Sequence, residues 1–349
     1  MILDTSYVGK KGTHLYYTGA SELNHLPISV ESLSTDQIQA LTNTVSNPFF
    51  GIITDPLSPL SGSEVPAFQL LLPYPEFTSL QGDTFPFASS IYHAFQLRAE
   101  KEYRNGLQFL LTYTWAKSID DASATDDSVT WLGGRSSLQD PNRRYLERSV
   151  SQFDIPHLFQ LSYVYELPIG RGKMIAGSAN SVLNGFIGGW QVNGTLSFSS
   201  GRPIQLTLDS GAAIPTYGGR RPNLTGRLRR NTSSNFVNSY FTNVNEVIAD
   251  PGDYTIGNAP RALSNIREPG VKNATMSLFK EFSLSKLREG TKLEFRVEAF
   301  NAFNHPQFCG PDTSVRFQDD GTVDQSTFGV ISSTCNSARE VQLGLKLYW

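Results

Sequence analysis

Five histidines, His14, His25, His93, His157 and His305, are scattered through the 349 residues. None has the HExxH spacing that sets two imidazoles on one helix face around zinc. The two cysteines, Cys309 and Cys335, form no CxxC, so the sequence spells out neither a zinc knuckle nor a dithiol redox motif. Asp120–Asp121 and Asp126–Asp127 gather carboxylates as a cation site would, but without the ordered ligand pattern of an EF-hand they read as solvated loop charges. Gly170–Arg171–Gly172–Lys173 lacks the first glycine and the following Ser or Thr of a phosphate-binding loop. No GxSxG nucleophile elbow is present. The expectation is a non-enzymatic chain with no catalytic, cofactor-binding or metal-binding set.

The charged residues that do form a pattern are Glu294, Arg296 and Glu298. With period two they share one face of a strand, where an arginine can pair with carboxylates of its own and neighbouring strands. Aromatics in polar stretches, Tyr16, Tyr17, Phe49, Phe50, Tyr74, Phe77, Trp131, Tyr217 and Tyr254, could stack on ring-shaped ligands or simply pack loops. Cys309 and Cys335 flank one polar stretch; in an exported protein a disulfide closing it is the natural reading, with two unpaired thiols the alternative.

Positioning such groups falls to strands. At the C-terminus Val341, Leu343, Leu345, Leu347 and Trp349 occupy one face and Gln342, Gly344, Lys346 and Tyr348 the other, the alternation of an extended segment. A membrane-spanning strand needs about 9–11 such residues with aromatics at the lipid–water boundary; an ordinary half-buried strand is the alternative. Residues 91–103 and 107–119 form the clearest hairpin, turning at Asn105–Gly106, the strongest short-range hairpin signal. Further strands are expected at 2–9, ending in a Gly9–Lys10–Lys11–Gly12 turn, and at 157–167, 190–198 continuing into 204–208, 272–284 and 292–304. A short helix is expected at 181–186.

Bulk properties exclude several classes. A net charge of −3 with no basic stripe gives no reason to expect nucleic acid as a partner; the arginine-rich 220–230 stretch reads as a solvated loop. A mean hydropathy of −0.26 and the lack of a long apolar run exclude membrane-spanning helices but not a β-barrel, whose strands average out. The first ten residues lack a basic head followed by an apolar run, so either the protein stays inside or this is the later part of a longer chain. The connections alternate long and short: 10–90 long, 104–106 short, 120–150 long, 168–189 intermediate, 209–271 long, 285–291 short, 306–337 long. Outer-membrane barrels keep that parity, with short periplasmic turns and longer external loops.

Seven segments carry a family resemblance: YVGKKGTHL (7–15), FQLRAEKEYRNGLQFLLTYTWAKSIDDAS (95–123), DIPHLFQLSYVYELPIGRGK (154–173), GGWQVNGTLSFSSGRPI (188–204), NATMSLFKEFSL (273–284), LEFRVEAFNAFNHPQF (293–308) and FGVISSTCNSAREVQLGLKLYW (328–349). Together they resemble the β-barrel region of TonB-dependent receptors of the Oar-like, carboxypeptidase-regulatory-domain type common in Acidobacteria. The resemblance implies an all-β, antiparallel transmembrane barrel of about 22 strands closed by an N-terminal plug, of which about eight are legible here. It implies that residues 1–349 are one partial barrel domain, without plug, regulatory domain or signal peptide. It further implies residence in the outer membrane of a Gram-negative cell, with lipid around the barrel and the barrel-assembly machinery receiving the terminal strand. Solute would enter through the external loops, and the TonB system would act only through the missing N-terminal region. A stand-alone small barrel or adhesin, or a secreted carbohydrate-binding β-domain, are the competing expectations.

Overall fold

The computed structural model describes residues 1–17, 21–82, 85–123, 138–284 and 288–349. Eight long strands lie side by side in chain order: β1 (Ile2–Tyr17), β2 (Phe85–Arg104), β3 (Leu107–Asp120), β4 (His157–Glu166), β5 (Trp190–Ser199), β6 (Val271–Ser283), β7 (Lys292–Phe300) and β8 (Glu340–Tyr348). Each pairs antiparallel with its neighbour in the chain, and Ser149–Val150 pairs briefly with the end of β3. The all-β antiparallel class is as the sequence indicates. The sheet is open, however: among the described residues β1 pairs only with β2, and β8 only with β7.

Local chemistry explains the tightest turn. Asn105 and Gly106 take φ of 57° and 77°, and two successive left-handed residues give the turn whose twist matches that of the flanking strands. Two expectations are corrected. Gly9–Lys10–Lys11–Gly12 is no turn but lies inside β1, paired from Gly9–His93 to Gly12–Ser90, because β2 runs for 20 residues and offers partners along its length. The irregularity is a bulge beyond it, with His14 at φ 54°. Nor does 204–208 continue β5. Ile204 and Leu206 turn into a loop core, and Thr207–Leu208 pairs in parallel with Ser314–Val315.

Register shows how the sheet separates its two faces. Ala99, Leu111, Leu161, Leu196 and Ala274 stand opposite one another in a single row across five strands, all apolar. The adjacent row, one residue along each strand, reads Arg98, Thr112, Gln160, Ser197 and Asn273. Because successive side chains point to opposite faces, these rows define an apolar and a polar face.

The hydrophobic core lies elsewhere. Within the eight strands the only buried hydrophobics among the described residues are alanines, Ala88, Ala94, Ala99, Ala116 and Ala274. On the apolar face Trp115 is 59% exposed and Leu343 69%. The large buried side chains sit in the connections. One cluster joins Ile204, Leu206, Leu228, Tyr240, Phe241 and Ile266 to Val315, Phe328 and Ile331; a second joins Leu26, Val30, Ile38 and Leu72 to Ile214. The connections 18–84, 121–156, 200–270 and 301–339 leave one end of the sheet, and 105–106, 167–189 and 284–291 leave the other. Only the long set forms a packed layer. Its longest helix among the described residues, α1 (Thr35–Thr42), starts at a capping box in which Ser34 and Gln37 exchange side-chain and backbone hydrogen bonds.

Candidate functional site

The polar face carries the charged ladder. On β7, Arg296 Nε donates to Glu294 and its Nη1 lies 3.9 Å from Glu298 Oε1. Tyr348 donates its hydroxyl to Glu294 Oε2 at 3.3 Å, and the Arg296 guanidinium lies over the Phe279 ring at 4.7 Å. Lys292 Nζ pairs with Glu281 Oε1 at 2.7 Å. Glu294, Arg296 and Glu298 thus share one face, with Arg296 satisfied inside its own strand. This ladder borders a cavity of about 550 Å³ that also reaches Glu166, Lys173 and Gln191. A second trough of about 450 Å³ runs across the middle of the sheet past Glu100, Gln108, Ser162, Asn193, Thr195 and Thr275. Asn193 Oδ1 there is buried and accepts no hydrogen bond. Apart from Glu100, which pairs with Arg98 at 2.5 Å, these are neutral hydrogen-bonding side chains.

At the long-connection end, buried and half-buried arginines tie the connections to the strands and to one another. Arg261 donates to the carboxylate and, at 3.0 Å, to the carbonyl of Asp120 at the end of β3; its Nε donates to the Glu147 carbonyl at 2.9 Å. Asp154 accepts from the Ser118 backbone at 2.6 Å and from Arg267 Nη2 at 2.5 Å. Glu147 accepts from Arg221 and, at 3.1 Å, from the Gln139 backbone, while Gln139 Oε1 accepts from the Arg221 backbone at 2.9 Å. Two expectations change here: Asp120 is buried and paired, and Arg221 in the 220–230 stretch is buried as well. In both cases the partner lies far along the chain, so local composition misreads the charge as solvated. Asp126 and Asp127 lie outside the described residues.

A further cluster sets the carboxylates of Glu31 and Asp140 around Arg143, with Tyr217 donating to Glu31 at 3.2 Å. Burial and the Asp140 charge push the Glu31 carboxyl above its ordinary range, and burial does the same to the Tyr217 phenol. Tyr217 and Tyr254 pack on the second loop cluster, whereas Phe49, Phe50, Tyr74 and Phe77 are exposed. Trp131 and the side chains of Tyr16 and Tyr17 lie outside the described residues. Cys309 and Cys335 are bonded to each other across 26 residues; closing a loop of that size is worth about 3.5 kcal/mol on chain entropy. Among the described residues no three His, Cys, Asp or Glu side chains converge as a metal site would require.

The comparison that decides the class is with a protein family described as "Outer membrane beta barrel domain", whose sequence pattern matches residues 1–342. The chain belongs to that family. No curated protein and no solved structure matches it. Membership of the outer membrane beta barrel domain family points to the outer membrane. It also accounts for an apolar face that stands exposed at Trp115 and Leu343, since a barrel of this family turns that face outward. What sequence reasoning missed in this barrel domain is the arginine–carboxylate network. Its only local trace is charge inside otherwise turn-like strings, as in the SIDDAS and NRRYLER segments.

Proposed function

We propose that this chain is the C-terminal barrel region of a TonB-dependent receptor of the Oar-like type, a non-enzymatic importer. The carrying observation is where the large buried side chains sit. They fill a layer of long connections at one end of the sheet, while the strands leave a continuous apolar face for lipid and a polar face for a passage. The layer would meet solute outside the cell, the polar face would line the lumen, and a plug domain elsewhere in the protein would fill that lumen and answer to TonB. The resemblance of seven segments in order along the chain supports the receptor type.

The test is the protein as it stands in the outer membrane of its own cell. Immunodetection against the 301–339 connection should find a heat-modifiable band well above 38.6 kDa, with N-terminal peptides from a plug. A heat-modifiable outer-membrane species of 38.6 kDa lacking any plug peptide would overturn the receptor reading and leave a stand-alone barrel or adhesin. A water-soluble form would overturn both.

A further inference from the structure

The connection from β4 to β5 is too ordered for a simple turn and too apolar for one facing water. Its helix α2 (Ser181–Ile187) has seven residues, a length with marginal helicity on its own. Three features fix it. Asn180 caps the N-terminus, accepting from the Leu183 backbone at 2.8 Å. Asn184 wedges between Gly170 and Gly188, where a Cβ on either glycine would fall within about 2.6 Å of its Oδ1, and that oxygen accepts from the Arg171 backbone at 2.6 Å. At the C-terminus Lys280 Nζ donates to the carbonyls of Phe186 at 2.9 Å and Gly188 at 2.6 Å, and Trp190 Nε1 also donates to Phe186 at 2.9 Å.

Lys280 and Trp190 define where this helix sits. They are register partners, and Lys280 is followed across the sheet by Phe295 and Leu345, so all four stand on the apolar face. A cation on that face is costly at mid-depth and tolerable only near a rim. Lys280, 3% exposed, is covered by the end of α2, whose unsatisfied carbonyls and dipole favour a positive charge. The helix therefore lies against the outside of the sheet at the short-turn end, not over the lumen. Its own apolar stripe then has nothing against it. Val182 is 74% and Phe186 73% exposed one turn apart, and the adjacent Leu183 is exposed too.

We propose that α2 forms a membrane-surface anchor. The stripe enters the headgroup–acyl boundary of the phospholipid leaflet at the periplasmic rim. Phospholipid is the occupant because Trp190, on the apolar face, holds the Phe186 end of α2, so the stripe continues that face outward as the apolar side of an interfacial helix does. Lys280 acts as the positioning residue. The proposal rests on the membrane reading of the sheet.

The test uses spin labels in isolated outer membranes. Cys309 and Cys335 are bonded to each other and residues 1–349 hold no other cysteine, so a thiol introduced by Val182→Cys or Phe186→Cys is the one free thiol of the barrel region, and the parent protein labelled in parallel gives the background. Ser178→Cys serves as the aqueous reference and Leu196→Cys as the mid-strand reference. Collision with oxygen should exceed collision with a water-soluble nickel chelate at 182 and 186, at a depth shallower than at 196. Adding Lys280→Met should return the 186 label to the aqueous signal while leaving 196 unchanged. If 182 and 186 match 178 while 196 is in lipid, the anchor is overturned and the barrel stands. If 182 and 186 are shielded from both reagents, a protein covers the stripe and the lipid assignment is overturned. If 196 itself is aqueous, the membrane reading falls and the anchor with it.

Discussion

Arg261, in the connection between β5 and β6, donates to both the carboxylate and the carbonyl of Asp120, the last residue of β3, although 141 residues separate them in the chain. The pair clamps the loop layer to the rim of the sheet at a point hidden from water. Buried pairs of this kind contribute little net stability against an apolar substitute, yet breaking one side leaves a charge stranded.

Arg261→Met should therefore loosen the layer by about 3–5 kcal/mol, since Asp120 would stay buried without its cation. Removing both charges with Asp120→Leu and Arg261→Met should restore much of the loss. Rates of external protease cleavage in the 200–270 connection measure this. Equal cleavage in the single and double variants would show that the pair does not hold the layer.

The two register rows make opposite predictions for neighbouring residues. Leu111 belongs to the apolar row and Thr112 to the polar one. With lipid against the apolar face, Leu111→Arg should cost about 2–4 kcal/mol at mid-depth, whereas Thr112→Arg should cost well under half as much because its side chain points into water. Urea titration of the protein in phospholipid vesicles gives both values. A neutral Leu111→Arg would place hydrocarbon elsewhere.

These rows also show what the sequence made legible. Period-two alternation is local, so β2 to β8 can be located from neighbours alone, and Asn105–Gly106 announces its turn by backbone chemistry. The helix at 181–186 is legible because Asn180 caps it and Gly188–Gly189 ends it. The loop layer was opaque for the converse reason. Ile204 shares one core cluster with Val315 and Phe328, and Arg221 pairs with Glu147, so the pattern that identifies a core is spread over connections that individually look like polar coil. β1 runs on past Gly9 because its Gly and Lys residues, poor strand formers by themselves, are held by pairing with β2.

Glu268 gives the layer a pH dependence. Burial raises its carboxyl above the ordinary 4.5, with the Arg202 charge only partly opposing. A carboxyl with a raised folded-state pKa favours the folded state fully below the unfolded value, and that contribution is lost as pH rises through the folded one. The layer should thus lose stability as pH climbs from about 4.5 toward neutrality. Glu268→Gln, uncharged throughout, should flatten that fall and be the more protease-resistant form at pH 7. A steeper fall in the variant would mean that the ionised carboxylate is the stabilising form.

Trp349 tests how the free edge is used. Beyond its pairing with β7, β8 leaves its other edge without a partner among the described residues, and Leu343 and Leu345 are 69% and 67% exposed. An unpaired row of backbone amides cannot persist in hydrocarbon, because each unsatisfied group there costs several kcal/mol. In the membrane this edge must meet another strand, and the residues flanking it must hold the strand at the correct depth while it does so. An indole at the lipid–water boundary provides that hold. Trp349→Ser should leave the pairing of β8 with β7 possible while removing the depth constraint. The folded, heat-modifiable fraction in the outer membrane should drop, and unassembled chain should accumulate in the periplasm. Trp349→Tyr should assemble as the parent does, since a phenol keeps the amphipathic ring. If the serine variant assembles undiminished, the edge is sealed without help from the terminal aromatic, and the role assigned to that residue fails.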